Sequence, residues 1–219
     1  MKPVSSNKIF SVSVAVLMTS VLLLMGVNPA GKSVFAGTPQ EPANKFAASG
    51  SSTEVIGANN TVVLLHEQVK TSKPTDLVFG VTLECSITTE VTTTGTDNQF
   101  AEGTVRVWVE VDGVPVPVSQ DDPDAGRVVF CNRFYQRATT FGTDDQDNAI
   151  TTFMRTRNAN GFNWMLLNAG SAVHQIEVKA EFTTNQSATA NALAVVGNRT
   201  LIVEPVKAER NEVVVELGN

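Results

Sequence analysis

The sequence predicts an all-β protein folded as an antiparallel β-sandwich. Three observations lead there. Apolar and polar residues alternate along several segments, the period of a strand with one buried face. Val and Thr are abundant, and β-branched side chains suit a pleated surface. Segments rich in Gly, Asn, Asp and Thr interrupt the alternation at regular intervals, as in sandwiches and barrels. The 219 residues suffice for one domain or two small ones. A formal charge of −6 argues against nucleic acid as the main partner.

The first segment reads as an export signal. Lys2 and Lys8 flank the start of an apolar run from Ile9 to Val27, and Val34-Phe35-Ala36 ends it with small residues. That order is a secretory signal peptide, residues 1–36, with cleavage after Ala36 and Ala30 as second choice. The apolar run is close to the length of a membrane span, so an uncleaved anchor is the alternative. Residues 37–53, rich in Pro, Ala, Gly and Ser, read as a flexible linker, and residues 54–219 as a single sandwich domain. Losing Lys2, Lys8 and Lys32 leaves that domain more acidic still.

The clearest strand runs from Asp76 to Thr92. Leu77, Phe79, Val81, Leu83, Cys85, Ile87 and Val91 fall on one face, and Asp76, Thr82, Glu84, Ser86, Thr88 and Glu90 on the other. Thr104 to Val118 follows, with Val105, Val107, Val109 and Val111 opposed to Arg106, Trp108, Glu110 and Asp112. Asp112-Gly113 signals a tight turn or a bulge, and Pro115 and Pro117 favour a sheet edge. Further strands are expected at Val62–Val69, Arg127–Tyr135, Ile150–Arg157, Phe162–Asn168, Val173–Thr183, Leu201–Val206 and Glu212–Leu217. Breaks are expected at 94–98, 120–126, 142–148 and 158–161. The one helical temptation, Ala188 to Val196, is short and lacks an apolar stripe. No internal repeat is visible.

In the last third, Gly170-Ser171-Ala172-Val173-His174-Gln175-Ile176-Glu177-Val178 precedes Asn198-Arg199-Thr200-Leu201-Ile202-Val203-Glu204. These residues resemble the closing strands of jelly-roll domains of the C1q/TNF type, which also occur in phage fibres. There a Gly-x-His turn leads a long strand and an Arg-x-Leu-x-Val-x-Glu strand ends the domain. The resemblance covers about 35 residues and implies a jelly-roll-like sandwich; residues 205–219 run past the usual end of such domains. An immunoglobulin-like sandwich is the alternative, because Trp108 falls between Cys85 and Cys131.

Cys85 and Cys131 are the only cysteines. Export makes a disulfide the expected state. Alternation raises a difficulty, since Cys85 shares the core face with Leu83 and Ile87, while Cys131 lies opposite Phe130 and Phe134. If the phenylalanines face the core, the sulfurs diverge. Neither cysteine has a His or a Cys-x-x-Cys partner in sequence to make it catalytic.

Acidic residues cluster in two loops, Asp121, Asp122 and Asp124 in one and Asp144, Asp145 and Asp147 in the other. Calcium takes six to eight oxygens, and such loops at one end of a sandwich can supply them. The spacing is not that of an EF-hand, and two solvated loops are the preferred reading. Calcium is therefore the one cofactor weighed, and none is expected. His66 and His174 are too few for a zinc site without acids or water, and His174 reads as a hydrogen-bonded histidine at a strand end. No Gly-x-Ser-x-Gly elbow occurs. Trp108, standing on a polar strand face between Arg106 and Glu110, is the candidate ligand contact, for a protein or carbohydrate partner. Coverage by a loop or by a second subunit is its plainer reading. Trp164, with Phe162 and Leu166, reads as core. Sequons stand at Asn59, Asn185 and Asn198, and Val213-Val214-Val215 suggests a strand kept in its own sheet or lent to a neighbour.

The expectation is thus a secreted, non-enzymatic β-sandwich acting outside the cell or at its surface as a binding or structural module. It needs no membrane once the signal is removed, and forming a homo-oligomer is within its reach. The alternatives are a secreted carbohydrate-active hydrolase with dispersed acids and a C1q-like trimer.

Overall fold

A computed structural model describes residues 45–119, 122–139 and 149–207. The signal, the first part of the linker, Asp121, Asp144, Asp145, Asp147 and the 212–217 strand lie outside the described residues. Ten strands are present in order: β1 Phe46–Gly50, β2 Glu54–Ile56, β3 Asn60–Lys70, β4 Thr75–Thr94, β5 Asn98–Val111, β6 Val114–Pro115, β7 Val128–Ala138, β8 Ala149–Ala169, β9 Val173–Gln186 and β10 Ala190–Val206. No helix occurs among the described residues.

All pairing is antiparallel. One sheet has the order β1-β10-β4-β8, with β2 also on β10; the other has the order β3-β9-β5-β6, with β7 also on β5. The pairs β1·β10, β3·β9, β4·β8 and β5·β7 nest one inside the next. The chain is therefore one long hairpin rolled over itself, each successive layer crossing between sheets. That is a jelly-roll order of strands; an immunoglobulin-like order does not nest this way.

Why β4 is a strand follows from its period. Leu77, Phe79, Val81, Leu83, Cys85, Ile87 and Val91 are all buried, and those from Leu77 to Ile87 share one core with Val105, Val107, Val109, Ile176, Val178 and Phe182 of the other sheet. Full burial of each such Val, Leu or Phe contributes about 1.5–3 kcal/mol. Asp112 and Gly113, at φ 53° and 81°, close β5 and β6 in the turn with two left-handed residues that suits a two-residue hairpin.

Three expectations need correction. Phe46–Gly50, inside the expected linker, is a strand paired from Phe46↔Val203 to Gly50↔Arg199. The expected break at 158–161 does not exist, because β8 runs unbroken for 21 residues. There Asn158, Asn160 and Gly161 pair with Cys85, Leu83 and Thr82, and continuous ladder bonding to β4 overrides their turn propensity. Ala188–Val196, set aside as a helix in the sequence for want of an apolar stripe, supplies from Ala190 onward residues of β10 that pair with the far half of β4. The second strand ends at Val111 rather than Val118.

The difficulty with the cysteines is resolved by a β-bulge. Val105 pairs with Cys131 but Arg106 pairs with Val129, so Phe130 is an extra residue in β7. A bulge lets two neighbours face the same side, and both Phe130 and Cys131 are buried. Cys85 and Cys131 are disulfide-bonded, Cα atoms 6.3 Å apart, joining the two sheets. A second bulge omits Asn198 between Gly197↔Glu84 and Arg199↔Leu83. It turns Arg199 inward, where the guanidinium donates to the Leu64 carbonyl at 2.8 Å and the Ser52 carbonyl at 2.7 Å. The buried cation is thus matched by carbonyl oxygens, as burial requires.

Replacing Cys131 by Ser should lower unfolding free energy by roughly 2–5 kcal/mol, read from urea denaturation of the oxidised protein. A variant as stable as the parent would show that the crosslink does not tie the sheets.

Candidate functional site

Trp108, Arg106 and Glu110 do share one face, the outer surface of the sheet containing β5. Their period-two spacing on β5 puts them in a row. The neighbouring row on β9 carries Glu177, Lys179 and Glu181, opposite Glu110, Trp108 and Arg106. Ion pairs run between the two rows. Lys179 Nζ lies 2.6 Å from Glu110 and 3.0 Å from Glu177, and Glu177 also reaches His66 Nδ1 at 3.6 Å. Arg106 and Arg127 flank Glu181 at 3.6 Å and 3.8 Å. Its bonds to Glu110 raise the Lys179 pKa above the usual lysine range. Against the opposing effect of burial, hydrogen bonds from Lys179 and Trp108 hold Glu110 below the ordinary carboxylate value.

Trp108 is not the exposed indole that its place in the alternation suggests. It is 2% exposed. The Arg127 guanidinium lies over its ring, 4.4 Å from the centroid, a cation–π contact, and its Nε1 donates to Glu110 at 2.8 Å. The plainer reading, coverage by a loop, is the observed one.

That loop is organised by Asp122. Its Oδ2 accepts from the backbone N–H of Val118 at 2.9 Å and of Gly126 at 2.6 Å, and its Oδ1 from Asp124 N–H at 3.0 Å. The Val118 bond leads the lowering of its pKa. Gly126 has φ +78° and a Cβ there would strike the Val116 carbonyl, so only glycine fits the turn. The Gly126 carbonyl accepts from Trp164 Nε1 at 2.7 Å. Asp122 thereby positions caps on both tryptophans, one on each sheet. Trp164 is core as expected, 1% exposed, with Phe130 stacked beside it and Phe162 edge-on at 4.8 Å. Among the described residues no group of three or more His, Cys, Asp or Glu is arranged to hold a metal ion.

His174 is buried at the start of β9. Nδ1 faces Asp112 Oδ2 at 2.7 Å and Nε2 faces the Gly170 carbonyl at 2.9 Å. Both partners are acceptors, so the ring satisfies them fully only when both nitrogens carry protons. Burial opposes that charge, but the Asp112 bond prevails and the pKa is raised. Asp112 is lowered despite its own desolvation, by bonds from His174 and the Gln175 N–H. The pair latches the β8–β9 turn to the β5–β6 turn. It is a hydrogen-bonded strand-end histidine, as the sequence suggested, with an acceptor facing each ring nitrogen.

The open concavities are small. A groove of about 310 Å³ on the outer face is lined by Glu102, Thr104, Arg106, Thr183, Thr184 and Asn185. A cleft of about 260 Å³ lies beside His174, Asp112, Pro115 and Leu166. Asn59, Asn185 and Asn198 are all exposed. Arg127, which covers Trp108, and Arg199, which is buried on β10 of the other sheet, were not legible in those roles. The first signal was its proximity to an acidic loop, the second its place at the head of the closing strand.

No protein-family model matches the chain, and no curated protein sequence matches it. Solved structures with a weak likeness include dimeric latent PorU from Porphyromonas gingivalis, at 8% identity over 82% of this chain and 14% of that one, TM-score 0.28. The Gx strain of infectious bursal disease virus gives 11% identity over 82% of this chain and 42% of that one, TM-score 0.26. The VP2 subviral particle of infectious bursal disease virus gives 11%, the same coverage and 0.27. The chain spans less than half the length of each of these three. At these values the likenesses carry no argument about activity; the fold rests on the strand order. Among the described residues no helix is long and apolar enough to cross a membrane.

Two outcomes follow. The raised His174 pKa contributes stability that is complete below pH 6.5 and lost as pH rises through the folded value, and the lowered Asp112 pKa contributes stability lost as pH falls below 3.8. Urea midpoints should therefore decline on the alkaline side of 6.5, and His174→Gln should flatten that decline; an equal slope in both proteins refutes the latch. Asp122→Ala should uncover Trp108, raising acrylamide quenching of tryptophan emission by about twofold, given loss of the loop's backbone bonds. Unchanged quenching would show that the loop holds without Asp122.

Proposed function

We propose that this protein is an exported, non-enzymatic module that works by surface contact, as a structural or binding element outside the cell or at its surface. The observation that carries the reading is the outer strand β8. Phe153 is 64% exposed there, with Met154, Phe162, Met165 and Leu167 also open to solvent. Solvent-facing apolar side chains along one strand are the mark of a contact surface. The polar side chains weighed for chemistry point elsewhere. Lys179, Glu110, Arg106, Glu181, His174 and Asp112 are engaged with one another. The inter-sheet disulfide suits an oxidising compartment, in keeping with an export signal over residues 1–36. The module works without a cofactor, Asp122 serving its loop rather than a calcium ion.

The C1q/TNF-like reading of the closing strands finds support in the nested strand order, and makes a trimer one specific form of the module. The test has two arms. Protein from the culture medium, purified to constant composition, should show no turnover of chromogenic glycosides, esters or peptides, and its sedimentation mass should not change between calcium and a chelator. Turnover that follows the protein through every step, or a calcium-dependent mass, overturns the reading.

A further inference from the structure

The edges of the two sheets are not equally defended. β1 and β2 are short, at 5 and 3 residues. β3 is bulged between Val63 and Leu65 and carries Glu67 and Lys70. β7 is bulged at Phe130 and carries Arg133 and Arg137, while β6 has two residues, one of them Pro115. These are the usual means of blocking an edge. Apart from the charges of Arg155 and Arg157, β8 has none of them along most of its length. Its 21 residues contain no Pro, Lys, Asp or Glu, and its ladder is regular from Ala149 to Leu166. Among the described residues it pairs with β4 alone, so its outer backbone groups await a strand.

The chemistry of that strand can be read from β8 itself. Its only charged residues are Arg155 and Arg157, which share the outer face with the exposed Phe153. Arg155 donates to the Ser86 hydroxyl at 2.9 Å and Arg157, 61% exposed, bonds Glu84; Glu84 interacts with both guanidiniums, so one carboxylate is shared between two cations. An added strand should therefore be acidic and β-branched. The chain itself contains one. Past Lys207 it continues with Glu212-Val213-Val214-Val215-Glu216-Leu217, where Glu212 and Glu216 fall on one face of a strand. A spacing of four lets one glutamate sit opposite an arginine and the other diagonal to the second.

Chain length sets how far residues 212–217 can reach along their own β8. β10 ends with Val206 opposite Asp76, and β8 ends with Ala169 opposite Thr75, at the same end of the sheet. Arg157 lies about 40 Å back along β8 from that end. After crossing β4 and β8, residues 207–217 have only about 20 Å of reach left. We propose that the β8 edge, around Arg155 and Arg157, accepts residues 212–217 of a second copy of this chain as an added strand. The inference rests on the reading of the protein as a surface-contact module. Donor and acceptor are different surfaces, so the contact is head-to-tail and builds rings or open chains.

The test is sedimentation velocity of the exported full chain over a range of concentrations, with disulfide content and far-ultraviolet dichroism as controls on folding. The parent should form concentration-dependent oligomers. Arg155→Glu with Arg157→Glu, or Glu212→Arg with Glu216→Arg, should weaken assembly about tenfold or more, because like charges then face each other. Carrying all four changes in one chain should restore it. Val214→Pro, which changes no described strand, should weaken assembly by removing an N–H from the donor. A parent that stays monomeric, or oligomers indifferent to these changes, overturns the proposal; the latter result would assign assembly to another face, such as a β8–β8 or trimer contact. Neither result touches the surface-contact reading, which fails only on turnover or a calcium-dependent mass.

Discussion

The structure depends on β4 being hydrogen-bonded on both sides along nearly its whole length. Its Thr75–Thr94 backbone meets β10 on one side and β8 on the other, and one face of its side chains supplies much of the core. A strand with both edges paired and one face buried has no freedom of register, because a slip of one residue would move every apolar side chain into water. That constraint aligns β8 and β10, and through them the two turns and the capping loop.

Within this frame, irregularities decide local chemistry. Phe130 and Asn198 are each one residue too many for their ladders. The first turns Cys131 toward Cys85, and the second turns Arg199 toward the carbonyls of Leu64 and Ser52. A jelly roll with perfect alternation would leave one sulfur outside and one arginine in solvent. Bulges are the cheap way to re-aim a side chain without breaking the sheet.

The outer face of the β5 sheet illustrates how polar side chains come to engage one another. Trp108, Arg106 and Glu110 form a row that looks like a binding site when read alone. Beside them Lys179 and Glu181 of β9 pair with Glu110 and Arg106, and Arg127 closes over the indole. Partly exposed pairs of this kind add little stability individually, yet together they occupy the groups that a ligand would use. Apolar side chains open to solvent stand instead along β8, Phe153 foremost.

Much of the fold was legible because it depends on a local quantity. The period of two marked β4, β5 and β9 correctly, Asp112-Gly113 marked a turn, and the closing strands pointed to a jelly roll. The pairing partners were not legible. Asn158 to Gly161 has turn composition and became strand, since β4 offered an unbroken row of backbone partners. Ala190 to Val196, with its alanines, became strand for the same reason. Burial of Trp108 depended on Arg127, 19 residues away in sequence, and the meeting of Cys85 and Cys131 depended on an inserted residue that alternation counts as a change of face. The sequence by itself therefore determined which residues alternate and what chemistry they carry. Only the tertiary structure decided which of them meet, because side-chain facing is a local property of the backbone, whereas register, bulges and loop coverage are set by strands distant in the chain.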